Sequence, residues 1–418
     1  MIRTPDFARR AFGGLPGMFW AVAIGTFINS AGEFVVTFLS IYLTEARDLS
    51  SSTAGLIVSV FGVGLSAGAL AGGFSSDRLG RRRTMTLVLA TSAVILVCLG
   101  RSRQLVLIVS LALLYGIAKG AFSPAAGAFV SDVIDGKDRV RAYGLIYWVY
   151  NAGCGVGVTL AGLIAGAYGF TLLFWGDAAT SLAAATIVAV FVAETRPRLS
   201  NPQKPAAPKH DLGIKGLGAI TRDAIFLRFL GIRFVYEIIY IQYLVALALD
   251  MRAHGISMGT YGVCMALNAV CVIVLQPFVS PWLERFRSSA ALAAAMLLTG
   301  ASYGLYATST ATLAYAAGIV LMTFAEIAIE PLASTIVADL SPAALRGRFR
   351  GAYSAMDALA VMVGPWLGAS VWEHYGRNVL WLGLFGLAAA AAVWMLTMGP
   401  ALERRVKELR TQAADAPG

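Results

Sequence analysis

Seven ionisable residues stand inside apolar runs that should carry none: Glu33, Lys119, Arg233, Glu237, Glu326, Glu330 and Asp357. An ionised group at the centre of a membrane helix costs about 2.5–3.5 kcal/mol on insertion scales, so those retained have a task or offset one another. Arg233 and Glu237 are four residues apart, as are Glu326 and Glu330, so each pair shares a helix face. The carboxylates outnumber Lys119 and Arg233, so at least one acid lacks a cation. A carboxyl group left in that position is poised to take up and release a proton. Glu237, Glu326 and Glu33 are therefore the expected proton-coupling residues. With Lys119, Arg233, Tyr240, Glu330 and Asp357 they form the expected lining of a substrate cavity. Asp177 and Arg228 fall nearer the ends of their runs, where the interface is within reach.

Other chemistries find little support. Cys98, Cys154, Cys264 and Cys271 all lie in apolar runs without a CxxC spacing, and read as small buried hydrophobes. His210, His254 and His374 fall in expected loops and assemble neither an HExxH zinc site nor a triad. No nucleotide loop or cofactor motif is present, so no cofactor, no metal and no enzymatic activity are expected. Phe38, Tyr42, Tyr115, Phe234, Tyr236, Tyr240 and Tyr243 share the charged spans and could wall a site for a lipophilic cation. Tight helix packing and interfacial belts account for the same aromatics.

The elements that must position these groups follow from composition. Of 418 residues, 58% are hydrophobic and 13% charged, with a mean hydropathy of +0.72. A soluble domain carries roughly 25% charge, so most of this surface faces lipid. A bilayer core of about 30 Å needs roughly 20 apolar residues per crossing. Twelve spans satisfy this, at 17–43, 52–74, 84–100, 104–131, 140–167, 170–192, 223–249, 258–281, 288–307, 310–338, 347–372 and 378–398. The first is too long for a signal-peptide core and has no A-x-A cleavage site. The polar stretch 193–222, with Pro197, Pro202, Pro205 and Pro208, reads as a central linker. The expected domains are a six-helix bundle over 1–192, that cytoplasmic linker, a second bundle over 223–398 and a cytoplasmic tail over 399–418.

The net charge of +10 follows the loops. Of the 33 Lys and Arg, 25 fall in the termini and alternate loops. Arg47, Arg101, Arg103, Arg252 and Arg377 occupy the opposite loops, and Lys119, Arg228 and Arg233 lie within spans. The positive-inside rule then sets both termini and the linker in the cytoplasm, and nucleic acid is not expected as a partner.

The halves share one register. At an offset of 207 residues, Asp77 and Arg78 map onto Glu284 and Arg285, Pro124 onto Pro331 and Asp132 onto Asp339. Arg139 maps onto Arg346, Gly144 onto Gly351, Gly157 onto Gly364 and Lys119 onto Glu326. Tyr240 occupies the position equivalent to Glu33. A register held through loops and spans indicates duplicated six-helix units, as in secondary transporters with a midplane site between repeats.

The loop between spans 2 and 3 carries Gly73, Asp77, Arg78, Gly80, Arg81, Arg82 and Arg83. This resembles the GxxxDRxGRR signature of the major facilitator superfamily, at that family's position, with the degenerate copy at Glu284 and Arg285. The stretch holding Glu326, Pro331, Asp339, Arg346, Gly347, Arg348, Gly364 and Pro365 is similar to bacterial drug:proton antiporters of the twelve-span type. That type has a GxxxGPxxxGG-like run in span 5; here Asn151, Gly153, Gly155, Gly157 and Gly162 lack the proline, and a Gly-Pro pair stands in span 11. The resemblance implies an all-α fold of twelve helices in two pseudo-symmetric six-helix bundles. It also implies that spans 1, 4, 7 and 10 line the central cavity, and the central charges other than Asp357 fall on those four. Asp77 lies at a helix C-terminus, where the dipole disfavours an anion, so it needs an arginine or another helix's N-terminus. The resemblance implies the start of span 11 as that partner, closing the cytoplasmic side.

The expected function is proton-driven efflux of small hydrophobic or cationic compounds by alternating access. The expected partners are a small-molecule substrate, protons and the lipid bilayer, for a monomer spanning the inner membrane several times. A proton-coupled uptake symporter is the alternative, because Lys119 and Arg233 could hold an anionic group. A receptor or scaffold that does not transport is a third, disfavoured by short loops that leave no room for a sensing domain.

Overall fold

The computed structural model describes residues 14–134, 138–195, 217–283, 285–341 and 346–414. Arg3, Arg9, Arg10, Lys137, Glu284, most of the linker and the last four residues of the tail lie outside the described residues.

Every described element is helical, as the low charge and long apolar runs require. Eleven helices are long and apolar enough to cross a membrane. Span 1 is divided into α1 (Gly17–Ala31) and α2 (Phe34–Glu45). Spans 2 to 6 are α3 (Ser51–Leu79), α4 (Arg81–Arg101), α5 (Leu105–Val133), α6 (Arg139–Tyr168) and α7 (Phe170–Phe191). The short α8 (Leu217–Arg222) precedes α9 (Ala224–Tyr240), a 3-10 turn at Ile241–Tyr243 and α10 (Ala246–Ala253). These last three elements occupy the expected seventh span, which is why it is missing from the eleven long helices. Spans 8 to 12 are α11 (Met258–Leu283), α12 (Ser288–Thr308), α13 (Thr312–Leu340), α14 (Arg346–Tyr375) and α15 (Arg377–Ala414). The final helix runs past Pro400 into the expected tail.

The chain divides into two compact units. The first holds Met1–Asp48, Val60–Asn201 and Ser257–Ala269; the second holds Leu49–Ser59, Pro202–Ile256 and Val270–Gly418. In the first, Phe19, Val22, Met85, Phe129 and Val188 centre a core shared by α1, α4, α5 and α7. In the second, Phe226, Phe229, Met296, Ile329, Tyr353 and Met395 do the same for α9, α12, α13, α14 and α15.

Two devices let these helices approach. Glycine opens α3 to α5: a Cβ at Gly64, Gly68 or Gly72 would come within 2.4 Å of backbone atoms of α5. Small residues are the usual means of close helix contact where lipid supplies no hydrophobic drive. Glycine also turns the chain sharply. Gly169 and Gly376, 207 residues apart, are each the sole residue between two helices, at φ +78° and +84°. That left-handed region suits a residue without Cβ.

Candidate functional site

In the first unit the site begins at the break in span 1. α1 stops at Ala31, and Gly32 lies so close to α7 that a Cβ would sit 1.7 Å from Thr180 Oγ1. From the other side, a Cβ on Gly153 would be 2.2 Å from Ser30 Oγ, and one on Gly157 would be 2.6 Å from the Ala31 carbonyl. Helix α2 starts at Phe34, so Glu33 stands in the gap. Its Oε1 lies 2.5 Å from Lys119 Nζ on α5, and Tyr150 Oη donates to its Oε2 at 3.4 Å. The pair is largely withdrawn from solvent, at 13% and 19% side-chain exposure.

Behind this pair stands Asp177 of α7. Its Oδ2 accepts the Val35 amide at 3.3 Å and the Tyr115 hydroxyl at 3.4 Å. The sequence reading set Asp177 near an interface, but it is 1% exposed. Helix α7 starts at Phe170, which puts Asp177 two turns inside. There it caps the N-terminus of α2, whose dipole favours an anion.

A cavity of about 460 Å³ opens beside these groups, within the range of small-molecule sites. Glu33, Lys119, Tyr115 and Tyr150 border it, with Thr26, Asn29, Ser92 and Ser181 as uncharged polar groups. Tyr143, Tyr147 and Tyr150 line one wall from α6. Their spacing of four and three residues puts them on one helix face, a signal the sequence carried and the reading above left unused. Of the expected aromatics, Tyr115 lines this cavity, whereas Tyr42 packs on Phe174 with ring centroids 4.6 Å apart.

In the second unit Arg233 gathers three acids. Glu237 Oε1 lies 2.5 Å away, Glu330 Oε1 2.9 Å and Asp357 Oδ1 2.9 Å. Arg233 also stands over the Tyr353 ring at 4.8 Å. Its Nη1 is buried without an acceptor among the described residues. Tyr240 donates to Glu326 Oε1 at 3.1 Å, and Tyr236, Tyr240 and Tyr243 follow one another at 6.2 Å. These residues surround the break in span 7. There the Ile238 and Ile239 carbonyls accept from Gln242 Nε2 at 2.9 Å and Tyr303 Oη at 2.8 Å. Polar backbone freed from a helix inside a membrane must find such partners. On α14, Gly364 makes room for the turn: a Cβ there would lie 2.3 Å from Ile241 Cγ2.

The loop residues form a third cluster in the first unit. Arg81, only 7% exposed, bridges Asp77 at 2.6 Å and Asp132 at 3.0 Å. Asp77 thus has the nearby arginine that its place at the end of α3 requires, while 66% of its side chain stays exposed. Gly80 takes φ +101°, and Glu194 accepts the Arg82 and Arg83 amides at 3.2 and 3.1 Å. A Cβ on Gly80 would be 2.2 Å from Glu194 Oε1, so the turn and the cap both require glycine. Arg78 stacks on Phe74 at 4.1 Å, and nothing lies within 4 Å of a Cβ on Gly73.

The sequence reading missed Asp250. It ends up completely buried, accepting from Tyr315 Oη at 2.7 Å, Trp381 Nε1 at 3.0 Å, Trp372 Nε1 at 3.1 Å and Arg377 Nε at 3.2 Å. This carboxylate binds α10, the second piece of span 7, to α13, α14 and α15.

The profile described as Major Facilitator Superfamily matches residues 22–249 and 238–416. An uncharacterized MFS-type transporter YttB of Bacillus subtilis (strain 168) is 25% identical over 406 residues, covering 96% of this chain and 99% of that one. A Na(+), Li(+), K(+)/H(+) antiporter of Planococcus maritimus is 23% identical over 397 residues, covering 88% and 93%. Among solved structures, the peptide transporter POT in complex with sulfate superposes with a TM-score of 0.77 at 16% identity, covering 94% and 96%. The fold is therefore the one shared by such transporters.

Proposed function

The chain belongs to the major facilitator superfamily, and on that premise we propose that it exports small hydrophobic or cationic compounds in exchange for protons. The observation that carries this reading is the surplus of acids over cations in each unit. In the first, Glu33 and Asp177 share Lys119; in the second, Glu237, Glu330 and Asp357 share Arg233. Such a surplus attracts both a proton and an organic cation, and competition between them for the same charge is the simplest basis of exchange. The tyrosines of the cavity give a lipophilic cation aromatic faces. The Planococcus maritimus relative, whose name describes cation/proton antiport, is in keeping with it.

In this reading Glu237, Glu326 and Glu33 carry coupling protons. Residues 1–192 and 223–398 are the two moving halves, with Asp77 and Arg81 holding the cytoplasmic loop. The protein works in the cytoplasmic membrane as a monomer with both termini inside, and as a carrier it needs no catalytic group. Expression in an efflux-deficient host, challenged with ethidium and other lipophilic cations with and without an uncoupler, tests the proposal. Resistance that an uncoupler abolishes is expected; probe drawn inward by an inward proton gradient would overturn it.

Uptake together with protons is the second reading. It is favoured by Arg233 Nη1, a buried donor to which an anionic substrate could bind. Imposing an inward proton gradient on proteoliposomes separates the two by the direction of substrate movement.

A further inference from the structure

Of Glu33 and Asp177, the two acids that share Lys119 in the first unit, Asp177 is the one that no cation pairs directly. Asp177 is 1% exposed, and no Lys, Arg or His nitrogen lies within 4.0 Å of it among the described residues. Lys119, the cation acting on it, is already held 2.5 Å from Glu33. Helix α4 brings no relief, since residues 84–100 contain no charged side chain. Helix α5 presents Tyr115 and Lys119, and the break presents Glu33; α6 adds Tyr150 and Cys154, both beside Glu33.

With both acids ionised, this group of one cation and two carboxylates has a net charge of −1 in a low-dielectric interior. An uncompensated charge there is costly, and taking up a proton relieves it. The geometry indicates where the proton goes. Both hydrogen bonds to Asp177 end on Oδ2, and no donor among the described residues reaches Oδ1. Tyr115, which donates to Oδ2, also lines the cavity, so a single hydroxyl separates the acid from that space.

We propose that Asp177 is a proton-binding site of the first unit, and that its protonation loosens the cap on α2 at the break in span 1. The step forms one O–H bond at Oδ1 with a proton from the aqueous phase, taking the group from net −1 to neutral. The Val35 amide then donates to a neutral acid in place of an anion, and charge-assisted bonds are roughly twice as strong as neutral ones. Helix α2 is held at its start by this contact, by Gly32 against Thr180 and by Glu33 on Lys119. Weakening one of the three frees the outer part of span 1 to shift. The proposal rests on the proton-coupled reading and adds a residue to it.

The test reads the proton directly. Infrared difference spectra of the full chain in lipid nanodiscs, taken as pH is raised without substrate or gradient, should show loss of a protonated carboxyl C=O band. Asp177→Asn, whose amide oxygen still accepts from Val35, should lack that band, and Glu33→Gln, which leaves Lys119 to Asp177 alone, should move its loss to lower pH. Tyr115→Phe, which retains the acid but removes one hydrogen bond to it, should shift the band and serves if Asp177→Asn does not fold. A band unchanged in Asp177→Asn, or one insensitive to Tyr115→Phe, would overturn the proposal, as would a band that Glu33→Gln does not move. Because no transport is measured, failure of the efflux reading would leave this result standing.

Discussion

Lys119 Nζ lies 2.5 Å from Glu33 Oε1, joining α5 to the gap between α1 and α2. Removing Lys119 leaves both Glu33 and Asp177 without a cation, whereas removing Glu33 as well leaves only Asp177. Lys119→Ala should therefore lower stability by about 1–2 kcal/mol, the scale of strong polar contacts between membrane helices. The double variant Lys119→Ala with Glu33→Gln should recover much of the loss. Thermal unfolding of the four proteins in detergent gives the coupling; simple additivity would exclude an interaction of this strength.

Gly157 and Gly364 should tolerate no side chain. A Cβ on the first meets the Ala31 carbonyl, and on the second Ile241 Cγ2. Overpacking of this kind costs about 1–3 kcal/mol. Gly351→Ala, with nothing within 4 Å of its Cβ, should be nearly silent. Melting temperatures that fell equally in all three would show that lost glycine, and not these contacts, is responsible.

Asp250 should be among the least replaceable acids in the chain. Asp250→Ala leaves Arg377 without its carboxylate and two indoles without their acceptor. Breaking a buried ion pair by removing one partner costs about 3–5 kcal/mol. Denaturation followed by tryptophan fluorescence would register both the loss and the changed surroundings of Trp372 and Trp381. A variant as stable as the parent would show that the pocket accommodates the uncoupled arginine.

Arg81 and Asp77 should differ in their dependence on each other. Arg81 is buried between two acids, while Asp77 keeps two thirds of its side chain in solvent. Asp77→Asn should leave the folded protein in the membrane and reduce transport, as a role in movement requires. Arg81→Ala, which strands Asp132 as well, should reduce the yield of folded protein. Gel filtration of both variants, with the uncoupler-sensitive resistance assay, separates the effects; full resistance in Asp77→Asn would remove it from the gate.

Much of the fold was legible because lipid imposes a simple code. Length and apolarity located the spans, and the 207-residue register anticipated the paired glycines Gly157 and Gly364. The breaks were hidden for a physical reason. Residues 234–245 contain neither glycine nor proline, and the irregular turn is held by its own Gln242 and, from elsewhere, by Tyr303 and Gly364. At the site, intrusive charges pointed to Glu33, Lys119, Arg233 and Glu237 directly. Asp177 and Asp250 escaped because their burial is decided by partners over 60 residues away: Tyr115 for one, Tyr315 and Arg377 for the other.

The two breaks also bear on the history of the chain. Glu33, in the first, and Tyr240, where α9 ends, stand at equivalent places in the repeat. Gly157 and Gly364, which seat them, are equivalent as well. A gene copied in tandem inherits its backbone irregularities along with its residues. The simplest ancestry is a single half-length polypeptide that already had an interrupted first helix and assembled as identical copies. Fusion then let the copies diverge, so that Glu33 and Lys119 of the first half stand where the second half has Tyr240 and Glu326. The interruption is what the halves share, and the charge is where they differ.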